Sequence, residues 1–200
     1  MKMRVVAWMV MVFGAAFLLL SGESILMQRS ISEKTLRLHV VANSDSIEDQ
    51  EQKLRVRDQV LQKVGEMTHD CLTLEQTEKA LQPQLWELEK CVNDFLKEEG
   101  SPYTATVSLC KEDFSTREYD TFALPAGEYH SLRIVIGQGK GKNWWCVVFP
   151  SLCNAATGEE LESAALQGGY GEEELAMIRR EQPKYTIRFK ILELVEGLFH

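Results

Sequence analysis

The hydrophobic pattern of this chain changes its period near residue 100, and this change limits the folds that the chain can adopt. From about residue 47 to residue 99, leucines and valines recur every three or four positions, the spacing of one face of an α-helix. From residue 103 to 149, apolar and polar residues alternate as in half-buried strands. A shorter alternation, Leu36, Leu38 and Val40, precedes the helical part. This order predicts an α+β domain.

Caps and helix breakers place the individual elements. We predict a helix over 47–67 that begins after the N-cap Ser46, and a second helix after Thr73 that Pro83 kinks or divides. Strands are predicted at 35–42, 103–110, 115–119, 129–136, 143–149 and 185–191, with a short helix at 171–182. Residues 137–142 are expected to form a flexible hairpin tip between two of these strands. The sheet should be mainly antiparallel and pack against two to three helices.

The first residues have the features of an export signal. Lys2 and Arg4 precede sixteen residues, Val5–Leu20, that carry no charge. Eighteen uncharged residues, 5–22, are close to the lower limit of ~17 for a membrane-spanning helix, so both a cleaved signal and a retained anchor remain open. In both cases the positive N-terminus stays inside and the body is exported. We divide the chain into a signal peptide or anchor, a linker and one extracytoplasmic α+β domain: 1–24, 25–34 and 35–200.

Charge and motif spacing exclude several classes of function. The formal net charge is -8, and the chain without residues 1–24 has 20 basic and 29 acidic side chains, which disfavours nucleic-acid binding. Gly137, Gly139 and Gly141 precede Lys142, but only three residues stand where a P-loop needs four, and a strand follows. We therefore expect no nucleotide or other small-molecule substrate.

The cysteines indicate a disulfide better than a metal site. No C-x-x-C occurs, and no Cys/His spacing fits zinc, so we expect no metal and no cofactor. Outside the membrane, thiols can pair. Cys146 and Cys153 flank a predicted turn at Phe149–Pro150 and are the candidate pair. The alternative is two small apolar residues in or beside a strand.

Two polar or aromatic segments are the candidates for binding a partner. The first joins a strand end to a helix start, and its alternative role is to cap that helix and form surface ion pairs. In the second, Trp144 and Trp145 must point to opposite faces of a strand, so one faces a second layer, a partner or solvent. The candidate residues are His39, Asn43, Ser44, Asp45, Asp49, Gln50, Arg57, Asp58, Asn143, Trp144 and Trp145.

An enzymatic function has weaker support. The four histidines are scattered, and no G-x-S-x-G motif occurs. The alternative that we keep is an exported cell-wall hydrolase or amidase that uses His39 with Asp45, or His130. Since neither a metal site nor an activated nucleophile is apparent, we expect a protein that is not an enzyme.

The same two segments resemble a known family. Leu36-Arg-Leu-His-Val-Val-Ala-Asn-Ser-Asp-Ser46 with the Asp49–Asp58 region, and later Gly127-Glu-Tyr129, Arg133–Gly137 and Asn143-Trp-Trp-Cys-Val-Val-Phe-Pro150 with Leu152-Cys153, resemble the signatures of the stage II sporulation protein R family. The resemblance covers residues 36–58 and 127–153. Residues 70–125 carry no signature of that family.

The resemblance implies a role in sporulation signalling. Such a protein is made in the forespore and exported into the space between the septal membranes. There it activates a membrane-embedded aspartic peptidase of the mother cell, which processes pro-sigma-E. The resemblance assigns no catalytic residue to the exported protein. If the N-terminal segment is retained, residues 5–22 would also hold the chain in the membrane.

Overall fold

The structure is a computed structural model, and it describes residues 11, 24–153 and 157–179. The predicted strand at 185–191 and nearly all of the predicted export segment lie outside these residues. Within the part of the chain that is described, no helix is both long and apolar enough to cross a membrane.

The order of elements is α+β, as the hydrophobic periods predict. Residues 24–33 are helical (α1). The elements that follow are β1 (Leu36–Val41), α2 (Ile47–Thr68), α3 (Leu74–Leu81), α4 (Leu85–Glu98), β2 (Ala105–Phe114), β3 (Arg117–Glu118), β4 (Ala123–Leu124), β5 (Gly127–Ile136), β6 (Asn143–Phe149), α5 (Gly158–Gln167) and α6 (Glu172–Ile178). Pro83 lies in the 3-10 turn Gln82–Gln84, which separates α3 from α4. The predicted division of the helical segment at Pro83 is therefore confirmed.

The spacing of Ser46 with Asp49, and of Thr73 with Gln76, predicts a capping box at each helix start, but the structure shows the bond in one direction only. Ser46 Oγ accepts from the Asp49 amide, and Thr73 Oγ1 accepts from the Gln76 amide. The return bond of a capping box is absent at Ser46, because the Asp49 carboxylate accepts from other side chains. The N-caps are thus confirmed, and Asp49 has a different role.

The main sheet has four strands in the order β2-β5-β1-β6, and it is mixed. β1 lies between β5 and β6, parallel to β5 and antiparallel to β6. β2 and β5 are antiparallel. The expected hairpin between β5 and β6 is therefore wrong, because β1 occupies the place between them. Residues 137–142 instead cross over the end of β1.

Helices pack on both faces of this sheet. Their number in the described part of the chain exceeds the two to three helices that the sequence predicts. One face packs on α2, α3 and α4 through apolar residues such as Leu38, Leu132 and Ile134. The other face packs on α5 and α6 around Tyr129 and Val147. Burying each such aliphatic side chain stabilises the fold by about 1.5–3 kcal/mol, so both layers contribute to the core.

The segment predicted as a linker packs against the domain at α1. Ile31 is fully buried in the core beside α5 and α6. Lys34 Nζ lies 2.8 Å from the Glu174 carboxylate at the start of α6. Thr35 Oγ1 and Tyr170 Oη are 2.5 Å apart. These contacts attach residues 24–35 to the second face of the sheet.

The second face is only partly covered. Arg37, Phe114 and Tyr129 lie beneath the helical layer and are buried. Toward the C-terminal end of β1, Arg133 of β5 and Ser108 of β2 are exposed on the same face. The described residues therefore leave an open area of sheet on β5 and β2.

Candidate partner-binding surface

The two signature segments meet at one end of the sheet. The amides of Lys140 and Gly141 donate to the carbonyls of Asn43 (3.1 Å) and Ala42 (2.9 Å). Lys142 N–H donates to Asp45 Oδ1 at 2.7 Å. Residues 42–45 and 137–142 are thus bonded to each other along the backbone, although about a hundred residues separate them.

Glycine is required where these two loops touch. A Cβ on Gly141 would lie 2.2 Å from the Ser44 carbonyl oxygen, which is closer than atoms can approach. Gly137 has φ +57°, a conformation that side chains disfavour, and a Cβ there would meet Asn43 Oδ1 at 2.4 Å. The glycines that resemble a phosphate loop therefore serve close backbone packing, and the expectation of a free hairpin tip is wrong.

The Asp49 carboxylate organises the first loop. Its Oδ2 accepts from Ser44 Oγ at 2.5 Å and from Asn43 Nδ2 at 2.9 Å. The side chain is 7% exposed. The bond from Ser44, with that from Asn43, lowers the pKa of Asp49, because both donors favour the charged carboxylate. Three predicted partner-binding residues therefore bond to one another and hold the loop.

Lys53 connects the two loops and was missed as a candidate. Its Nζ donates to the Lys142 carbonyl at 3.0 Å and to Gln50 Oε1 at 2.6 Å. Gln50 Nε2 donates in turn to the Ser44 carbonyl at 2.8 Å. Burial lowers the pKa of Lys53, because desolvation penalises its charge. Lys53 belongs to the first signature segment, and only its helical spacing from Gln50 could have indicated this role.

The adjacent tryptophans point to opposite faces, as strand alternation requires. Trp144 packs on the helical face, with the Arg57 guanidinium 4.4 Å from its ring centroid. Trp145 packs on the second face, with the Arg117 guanidinium 3.7 Å from its ring centroid. Both rings are half-buried. Neither tryptophan is a freely exposed anchor, because a cation lies on each.

His39 lies beside Trp145 on the second face, where its side chain is 12% exposed. The two rings are stacked with centroids 5.6 Å apart. His39 Nδ1 is 3.1 Å from the Glu112 carboxylate, and Nε2 is 3.1 Å from Asn143 Oδ1. Arg133 lies 3.5 Å from the same Glu112 carboxylate. Glu112 and Arg133 join the site only through strand pairing, so no local signal in the sequence identified them as site residues.

Among the predicted residues, the structure therefore forms two groups. Asn43, Ser44, Asp45, Asp49 and Gln50 form the interlocked loops. The second group lies along β6 and beside it: His39, Arg57, Asn143, Trp144 and Trp145. Asp58 lies at the margin of the second group, since its carboxylate pairs at 2.7 Å with Arg57 and its side chain is 62% exposed.

The residues considered for a hydrolase are not arranged as the sequence suggested. Asp45 accepts the Lys142 amide, whereas His39 bonds to Glu112 and Asn143. His130 is 2.5 Å from Glu78 on the helical face, away from both. Cys110 and His130 line the same shallow pocket. Burial raises the pKa of the Cys110 thiol, which disfavours the nucleophilic thiolate. Within the described residues no cluster of three or more His, Cys, Asp or Glu side chains could hold a metal ion.

Cys146 and Cys153 form the disulfide that the sequence suggested as a candidate. Their Cα atoms are 5.8 Å apart, within the usual range for a disulfide. The Phe149–Pro150 peptide bond between them is cis. The remaining cysteines, Cys71, Cys91 and Cys110, are free. The disulfide attaches the segment after β6 to the strand that carries the tryptophans.

Comparison with known proteins decides the family. A family model described as Stage II sporulation protein R matches residues 32–159, which include both interlocked loops and all of β6. The chain belongs to the stage II sporulation protein R family. A curated relative, "Stage II sporulation protein R" of Bacillus subtilis (strain 168), is 35% identical over 123 residues. That alignment covers 62% of this chain and 55% of the relative, so the chain matches about half of the relative's length.

The family match locates the shared part of the fold. It begins within α1 and ends at the start of α5, so α6 and the segment after it lie beyond the matched region. No solved structure matches this fold. The part of the chain that matches the family model contains the mixed sheet, in which β1 lies between β5 and β6.

Proposed function

We propose that this chain is an exported signalling protein that activates a membrane-embedded aspartic peptidase, which in turn processes pro-sigma-E during sporulation. Membership of the stage II sporulation protein R family is the observation that carries the proposal. The basic residues and the uncharged stretch at the N-terminus support export into the space between the septal membranes, with the body either released or held by residues 5–22.

The arrangement of the two signature segments supports a binding role. The family resemblance falls on two segments that lie far apart in the chain. It is explained if the two segments build one surface. Here residues 42–45 and 137–142 are bonded together, and β6 continues directly from the second loop. We take the interlocked loops as the support and the β6 side as the contact surface, because the loop side chains bond mainly within the protein.

We further propose that the chain performs no chemistry itself. Both ring nitrogens of His39 face oxygen atoms of its own fold, Glu112 and Asn143, and the ring stacks on Trp145. This arrangement suits a positioned side chain within a binding surface. Catalysis would then belong to the peptidase.

The test is co-expression of the full chain with the peptidase and pro-sigma-E in a host that does not sporulate. Processing that depends on the chain supports the proposal. His39→Gln and Asp45→Asn remove acid–base capacity and approximate the original shapes. An enzyme would lose about 10²–10⁴-fold in rate through either change. We expect processing within about fivefold of wild type, since a ligand loses only a local bond of roughly 1 kcal/mol.

Two controls make the result decisive. The exported amount of each variant and its unfolding midpoint must equal those of the wild type. Under those conditions, loss of processing by more than about 100-fold in both variants would contradict the non-catalytic proposal. Release of muropeptides from cell walls by the purified chain would instead establish the hydrolase alternative.

A further inference from the structure

The Cys146–Cys153 disulfide lies in the wall of an open cleft. The cleft has a volume of about 430 Å³ and lies between β6 and the hairpin that β3 and β4 form, and both cysteines are among its lining residues. Cys146 is 2% exposed, because it packs in the core on the helical face. Cys153 is half-buried at the margin of the same core. Cys153 is therefore the sulfur that a molecule entering the cleft can reach.

Access decides whether a disulfide can exchange its sulfur partners. Exchange begins when an external sulfur contacts one sulfur of the pair, so exposed disulfides are the labile or regulatory ones. The three free cysteines lie on other parts of the fold: Cys71 before α3, Cys91 in α4, and Cys110 on β2 at the opposite edge of the sheet from β6. The lining of the cleft contains no cysteine besides the bonded pair.

The disulfide also holds residues 150–153, the segment that leads from β6 toward α5. Leu152 is 1% exposed and packs with α5 in the core of the second face. Pro150 lies against the end of α5, where a Cβ on Gly168 would be 2.1 Å from Pro150 Cγ. Cys153 packs against the core of the opposite, helical face. The segment thus contacts both layers, and the disulfide is its covalent attachment to β6.

Reduction of the disulfide should open this segment and leave the rest of the fold in place. The two cysteines are seven positions apart, and for a cross-link of that size the chain-entropy model gives a preference of roughly 50-fold for the closed arrangement. After reduction, noncovalent contacts such as those of Pro150 and Leu152 hold the segment. The sheet keeps its main-chain pairing, which does not depend on the sulfur atoms. Proteins commonly open in such local units.

The redox conditions on the two sides of a membrane differ in the way that such a bond can report. The cytoplasm keeps thiols reduced, whereas disulfides form and persist outside it. The basic residues and the uncharged stretch at the N-terminus support export of the body. An exported chain therefore passes from conditions that keep the pair open to conditions that close it.

From these observations we infer that Cys153 is the site at which a thiol–disulfide oxidoreductase outside the cytoplasm oxidises the pair, and that formation of the disulfide converts the chain into its active form. A chain that has not been exported keeps both thiols and does not activate the partner. This inference rests on the function proposed above, and it adds the regulation of that activity and the class of protein that controls it.

The oxidation is an exchange of sulfur partners in two steps. The Cys153 thiol loses its proton, and its thiolate attacks the disulfide of the oxidoreductase, so that one enzyme sulfur bonds to Cys153 and the other leaves as a thiolate. The Cys146 thiol then loses its proton, and its sulfur attacks Cys153 Sγ. The disulfide of the chain forms, and the first enzyme sulfur leaves as a thiolate. Two electrons pass from the chain to the oxidoreductase, whose thiolates take up the two protons to give a dithiol.

Single-cysteine variants test the site of oxidation. Cys146→Ala and Cys153→Ala each leave one cysteine of the pair in the full chain. The purified variants are incubated with oxidised glutathione without denaturant, and peptide mapping locates the mixed disulfides. We expect glutathione to join Cys153 in the first variant at least about tenfold faster than it joins Cys146 in the second, because access controls the rate. Labelling of Cys110 in both samples is the internal reference. Equal rates, or a faster reaction at Cys146, would overturn the assignment of Cys153.

The double variant Cys146→Ala/Cys153→Ala tests the effect on activity, since it cannot form the bond. In the co-expression host we expect its pro-sigma-E processing to be at least about tenfold below wild type, as the segment opens. Its exported amount and its helix content by circular dichroism should equal those of the wild type. The matched control, Cys71→Ala/Cys91→Ala, also removes two cysteines and should process within about twofold of wild type.

Hydrogen exchange on the purified wild-type chain distinguishes a switch from a requirement for folding. Reduction should speed exchange of the amides of residues 151–153 by roughly 50-fold and leave the amides of β1 protected. If β1 also loses protection, the disulfide is needed for the whole fold and the inference fails. If no amide of residues 151–153 changes, the bond does not control the segment and the inference fails as well.

The outcomes separate this inference from the proposed function. If the wild-type chain does not cause processing, the proposed function fails and the switch fails with it, while the glutathione mapping still decides whether Cys153 is the site of oxidation. If the wild type and the double variant cause equal processing at equal protein level, the function stands and the switch fails.

Discussion

Replacing Asp49 with Asn should destabilise the protein in a way that depends on pH. The carboxylate accepts from Ser44 at 2.5 Å and from Asn43 at 2.9 Å, and it is 7% exposed. Hydrogen bonds to a charged group contribute about 1.5–3 kcal/mol each when deleted, but Asn keeps one acceptor oxygen. We therefore expect a loss of about 2 kcal/mol in the free energy of unfolding at pH 7.

The sign of the pH dependence follows from the lowered pKa of Asp49. Its pKa in the folded protein lies below the ordinary value of 3.8, chiefly because of the bond from Ser44. A depressed carboxylate pKa stabilises the fold above the unfolded pKa, and this stabilisation is lost as pH falls through the folded pKa. The difference between wild type and Asp49→Asn should thus be constant near neutral pH and shrink below about pH 4.

Urea unfolding followed by circular dichroism measures this difference at pH 7 and at several values below pH 4. The control is Asp58→Asn, whose side chain is 62% exposed and which pairs only at the surface. That change should cost at most about 0.5 kcal/mol. A difference for Asp49→Asn that stays constant, or grows, as the solution is acidified would refute the role assigned to the charged carboxylate.

Three other outcomes are expected. Gly141→Ala should lower stability by about 1–3 kcal/mol, because its Cβ meets a backbone oxygen, whereas Gly65→Ala, in α2 with nothing within 4 Å, should raise it by about 0.5–1 kcal/mol; equal signs would contradict the packing argument. Non-reducing peptide mapping of the exported protein should recover Cys146 linked to Cys153, and finding both as free thiols would contradict the pairing. Residues 1–30 fused to alkaline phosphatase should give active enzyme outside the cytoplasm, and activity confined to the cytoplasm would contradict export.

Local features of this protein were predictable because they depend on residues a few positions apart. The helix over 47–67 was placed within one residue of its observed end, and β6 was placed at its observed bounds. Ser46 caps α2 because its hydroxyl reaches an amide three residues away. The opposite directions of the adjacent tryptophans follow from strand geometry alone.

The tertiary structure decided everything that joins distant residues. The sequence shows that β1, β5 and β6 are strands, but period and composition do not state which strand lies beside which. The insertion of β1 between β5 and β6 arises from long-range pairing, such as Leu38 with Leu132 and Cys146. The sequence predicts a flexible tip at these glycines because the packing partners of Gly137 and Gly141, which are Asn43 and Ser44, lie about a hundred residues away.

The candidate site shows the same division. The residues with recognisable composition, such as Asn43 and Trp145, could be selected from the sequence. Glu112 and Arg117 could not be assigned their roles, nor could the bond from Lys53 to the Lys142 carbonyl, since each involves a partner that only folding brings within bonding distance. A hydrogen bond or a cation–π contact between residues far apart in the chain produces no periodic pattern in the sequence. The chain's hydrophobic periods therefore determine its elements, and close packing between distant segments determines its surface.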